Sequence, residues 1–88
     1  MQLQQLHDPG SSTCSYLIWD ESTGEAALID PVLDQLARDL RMLNERGLTL
    51  RYILETHVPI DHITSSGRLR ELKKAAVLVP EGYGSKNP

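Results

Sequence analysis

Only one cysteine, Cys14, is present in the 88 residues, so no disulfide can form within the chain. That removes a common support of small folds. A chain of this length buries only roughly 60–65% of its extended surface. A metal, a partner or further protein is therefore expected to contribute to its stability. An isolated cysteine fits a reducing compartment, and Cys14 itself reads as a small, half-buried strand residue. An excess of positive charge is missing too: 9 basic residues face 12 acidic ones, for a net charge of -3 with neutral histidines. Phosphate recognition needs a concentrated basic surface, which excludes nucleic acid as the expected partner. The short run Arg68, Arg70, Lys73 and Lys74 reads as the solvated face of a helix. No apolar stretch approaches the ~20 residues that span a bilayer, so no membrane role is expected. The opening residues, MQLQQLHDPG, lack a basic segment followed by an apolar core, and the expected compartment is the cytoplasm. Repeats and long linkers are absent as well. The expected organisation is one partial domain over 1–80 and a frayed tail over 81–88.

What is present reads as α/β. Residues 2–7 alternate weakly and suggest an edge strand. Asp8 to Ser12 forms a turn. Residues 13–19 are β-branched and aromatic, and predict a second strand. A turn at 20–24 leads to a short strand at 26–29. Residues 32–46 give the clearest helix, with Val32, Leu36, Leu40 and Leu43 on one stripe, Leu33 and Ala37 beside it, and Asp39 among the charges off it. Asp30 is placed to cap its first turn, Pro31 suits its first position and Gly47 ends it. Residues 48–55 predict a strand with Leu50, Tyr52 and Leu54 on one face and Ile53 on the other. A helix over 63–74, with Leu69 and Leu72 inward, and a strand over 75–79 follow. The order is β-β-β-α-β-α-β, with helices covering one face of a mixed sheet. Nothing in the chain is set aside to cover the other face.

The chemistry-bearing residues cluster just after the fourth strand. His57, Asp61 and His62 fall within six residues, at the carboxyl end of a strand, where ligands gather in α/β proteins. Imidazole and carboxylate together suit zinc, iron or manganese. Thr56 is placed to hydrogen-bond within the loop or behind a ligand. The same residues have ordinary readings: Asp61 can cap the helix that follows, and His57 and His62 can be surface histidines. Pro59 supplies no side-chain donor and stiffens the segment.

The segment ETHVPIDHITSSGRL resembles the T-H-x-H-x-D-H motif and following helix of the metallo-β-lactamase superfamily, in particular its persulfide dioxygenase and glyoxalase II-like group. DPGSSTCSYLIWD and GEAALIDPVLDQLARDLRMLNERGLTLRYILETH resemble the segments leading up to it, so the likeness runs over residues 3–74. The resemblance implies a four-layer αββα sandwich, of which this chain would be the amino-terminal part. It implies that His57 corresponds to a ligand of the dioxygenases' single iron. Asp61 and His62 correspond to the pair that holds a second metal in the related hydrolases, where Asp61 would also serve catalysis by orienting water. Pro59 stands where the motif has its second histidine. The expected cofactor is accordingly iron or zinc, bound weakly or not at all by the isolated chain. The expected function is that of a truncated or degenerate relative without independent catalysis. Two alternatives stand beside it. One is a persulfide dioxygenase or metal-dependent hydrolase completed by another chain, through a homo-oligomer or a carboxyl-terminal part, with glutathione persulfide as substrate. The other is an interaction module using the open sheet face.

Overall fold

In the computed structural model, which describes residues 1–10, 12–56 and 65–79, one five-stranded sheet has the order β1-β2-β3-β4-β5. The strands are β1 (Gln2–Asp8), β2 (Thr13–Trp19), β3 (Glu25–Ile29), β4 (Thr49–Leu54) and β5 (Ala76–Leu78). The first three are antiparallel neighbours, whereas β3, β4 and β5 run parallel. Parallel neighbours need crossovers, and helices α1 (Leu36–Glu45) and α2 (Ser66–Lys73) provide them. The proposed tail at 81–88 lies outside the described residues.

Strand alternation sends Leu6, Leu17, Leu28, Leu50 and Ile53 to one face, where they meet Leu43 of α1 and Leu69 of α2. Both helices therefore lie on that face, as the sequence implies. Each buried aliphatic side chain stabilises the fold by about 1.5–3 kcal/mol relative to exposure. The opposite face carries Leu3 paired with Ile18, Tyr16 with Ile29, and Ala27 with Tyr52. Among the described residues nothing covers it, and Leu3, Tyr52 and Leu78 are 62%, 52% and 48% exposed.

Three orientations differ from expectation. In β4 the core receives both Leu50 and Ile53, while Tyr52 points out. The cause is a step in register: Ala26 pairs with Leu50 but Ala27 with Tyr52, leaving Arg51 as an extra residue. A bulge inverts the alternation beyond it. At α1, a 3-10 turn over Leu33–Gln35 precedes the α-helix, and its N-cap, Val32, makes no side-chain bond. The expected stripe still faces the core, with Val32 and Leu43 buried and Leu36 and Leu40 packed against it; what differs is that Asp39 is buried on that same side and Ala37 is exposed. In α2 the inward line is Ser66 and Leu69. Leu72 turns about 60° off that line and is half exposed rather than buried.

Gly47 does end α1. With φ +66, it lets Leu48 N–H reach the Leu43 carbonyl at 2.9 Å and its own N–H reach the Asn44 carbonyl at 3.2 Å. This paired arrangement closes the last turn and satisfies carbonyls that the helix leaves open.

Candidate functional site

Because β1, β3 and β4 point the same way, their carboxyl ends share one edge of the sheet. Buried polar residues collect there: Asp8, Ser15, Asp30, Glu55, Ser65 and Ser66. Asp30 is the hub. Its φ of +54 lies in the left-handed region, which aspartate tolerates better than most residues. Its N–H donates to the Leu54 carbonyl at 2.8 Å, and its own carbonyl accepts from Ser15 Oγ at 2.6 Å. That leaves its carboxylate facing the end of β4. Oδ1 accepts from Thr56 N–H at 2.8 Å and Oδ2 from Thr56 Oγ1 at 2.5 Å. Asp30 thus fixes the residue immediately before His57 instead of capping α1. Thr56 bonds across the sheet to it, a pairing that the loop role assigned from the sequence did not include.

The second buried carboxylate, Glu55, continues β4. Its N–H donates to the Leu78 carbonyl at 2.9 Å, and its Oε2 accepts from Ser66 Oγ at the start of α2. Ser65 N–H approaches the Pro31 carbonyl at 3.4 Å. Asp8 accepts from Gln35 Nε2 at 2.8 Å, and Arg38 Nη1 donates to the His7 carbonyl at 2.8 Å. These two contacts tie the β1–β2 hairpin to the beginning of α1.

The candidate ligands His57, Asp61 and His62, together with Pro59, lie outside the described residues. Among the described residues, no group of three or more histidine, cysteine or acidic side chains is placed to hold a metal. Asp30 and Glu55, the buried carboxylates flanking residues 57–64, are engaged by Thr56 and Ser66. The described residues frame the two ends of the segment that carries the candidate donors. The sequence pointed to that segment but not to Asp30 and Glu55 as its supports. An Asp-Pro step at a strand end looks the same whether the carboxylate caps the next helix or reaches a neighbouring strand.

A mixed sheet with helices on one face and, among the described residues, nothing on the other is part of an α/β sandwich. The chain belongs to the metallo-beta-lactamase superfamily, whose profile matches residues 8–86. Within it, the chain is similar to persulfide dioxygenases. It is 49% identical over 70 residues to the mitochondrial persulfide dioxygenase ETHE1 of Homo sapiens, a stretch covering 80% of this chain and 28% of the human protein. The crystal structure of ETHE1 from Myxococcus xanthus superimposes with a TM-score of 0.84 at 56% identity, covering 88% of this chain and 34% of that one. A metallo-beta-lactamase from Staphylococcus aureus superimposes at 0.83 with 33% identity, covering 92% and 24%. The chain therefore spans about a third or less of these relatives. Among the described residues, no helix is long and apolar enough to cross a membrane.

Proposed function

We propose that this chain is the motif-bearing sheet of a persulfide-dioxygenase-like domain and that it has no independent catalysis. The observation that carries the reading is Pro59, which occupies the position of the motif's second histidine and offers no side-chain donor. His57, Asp61 and His62 are left as nitrogen and oxygen donors for iron or zinc. The flanking carboxylates are occupied in holding the chain. Of His57, Asp61 and His62, only His57 corresponds by the family resemblance to a ligand of the dioxygenases' iron, so a catalytic centre of three protein ligands and an open position is incomplete, and no reaction step is assigned to a metal here. The assigned compartment is the cytoplasm.

Oxygen uptake with glutathione persulfide and iron(II) tests the reading. No uptake above that of free iron is the expected result, and turnover with stoichiometric bound iron overturns it. The companion variant is Pro59→His. Restoring an imidazole is expected to raise metal retention well above that of the parent chain.

The bare sheet face favours a second reading, in which another copy or a carboxyl-terminal part covers the face and supplies the remaining donors. Persulfide oxidation would then use His57 as one iron ligand. In a hydrolytic version Asp61 would orient water. A third use of the same face is as a docking surface without chemistry. Oligomeric mass tests the version with a second copy, because a chain that remains monomeric at high concentration does not cover the face by self-association.

A further inference from the structure

Residues 57–64 run between two posts, Thr56 at the end of β4 and Ser65 at the start of α2. Both posts rest on adjacent residues: Thr56 on the Asp30 carboxylate and Ser65 on the Pro31 carbonyl. A third connection joins the residues next to the posts, the bond from Ser66 Oγ to Glu55 Oε2. Glu55 and Ser66 are 7% and 6% exposed, so this bond is largely withdrawn from water, and leaving either partner unpaired there is costly.

The start of α2 lacks the usual local arrangement. Ser65, at the N-cap, makes no side-chain capping bond, and the first turn contains no acidic residue. Helix starts leave amide donors unmet and carry partial positive charge. Here a carboxylate arrives from the preceding strand instead of from the helix's own first turn. Glu55 is in turn fixed by its N–H bond to Leu78 in β5. The start of α2 is thereby tied to the end of β4 and, through the Glu55 backbone, to β5.

We infer that Glu55 is a positioning residue: its bond to Ser66 sets the separation between the end of β4 and the start of α2, and so the span available to residues 57–64. The inference deepens the proposed function, since those residues contain His57, Asp61 and His62. The tie itself is defined by described residues alone and can be tested without metal.

The test is cleavage of the metal-free chain by proteinase K, with fragments assigned by mass spectrometry. The proteins are the parent, Glu55→Ala, Ser66→Ala, the double variant and Glu55→Gln. Val77→Ala serves as a control for a general loss of stability. Either alanine variant is expected to raise cleavage between residues 57 and 64 about tenfold, with little change elsewhere. The double variant should raise cleavage by less than the product of the two single effects, because both remove the Glu55–Ser66 bond. Glu55→Gln keeps an acceptor for Ser66 Oγ and should retain most of the protection. Cleavage that rises along the whole chain, as in Val77→Ala, overturns the inference. So do single effects that multiply in the double variant. A Pro59→His protein that retains no metal would contradict the functional reading and leave the cleavage result to decide the tie.

Discussion

Asp30 concentrates more structural consequence than any other residue at the sheet edge. It adopts a left-handed backbone, receives the Ser15 hydroxyl on its carbonyl and holds Thr56 through both carboxylate oxygens. Asp30→Ala removes the acceptors for Thr56 and puts a less tolerant residue at φ +54. We expect a loss of about 2–4 kcal/mol, read by urea denaturation. Asp30→Asn keeps an acceptor and the left-handed tolerance, and should lose less. Asp39 makes a different demand. It is 1% exposed on the inward line of α1, with Arg38 Nε at 3.1 Å from Oδ1. Burial pushes its carboxyl above the usual 3.8, and the Arg38 charge only partly opposes this. The folded state therefore holds the Asp39 proton more tightly than the unfolded chain does. Its contribution is fully present below pH 3.8 and is lost as pH rises through the raised folded value. The stability of the parent relative to Asp39→Asn should thus be most favourable in acid and decline toward neutral pH. A difference that grows with pH would contradict this assignment.

At the scale of elements, periodicity was enough to recognise every strand and both helices, but not the face of every residue in them. The inverted half of β4 comes from Arg51 bulging beside Ala26 and Ala27, and Asp39 is buried beside an apolar stripe that faces the core as expected. Both are settled by packing between elements, which a local pattern does not encode. The Glu55–Ser66 bond was illegible for a similar reason: its partners are eleven residues apart and look like any polar pair until strand and helix are brought together. Helix ends were more legible where glycine marks them. Gly47 closes α1 as expected, whereas α2 ends on Lys74 with φ +59. A residue with a Cβ is strained in that region. Lys74→Gly is expected to stabilise the chain by about 0.5–1 kcal/mol, visible as a rise in Tm. An unchanged or lower Tm would mean that the lysine side chain contributes more than the strain costs.

At the scale of the whole molecule, family and fold were the most legible features, because they rest on a co-linear run of segments and not on one motif. The bare apolar face and the buried frame at the sheet edge are what a superfamily domain retains when its motif-bearing sheet is considered alone. The central claim is that this sheet carries the frame of a metal site without a complete donor set. Bound iron and zinc per chain, measured on protein purified without chelator or affinity-tag metal and alongside oligomeric mass, test it most directly. The account predicts no metal above background, in the parent and in His57→Ala alike. Close to one metal per chain or per dimer, lost in His57→Ala, would contradict it.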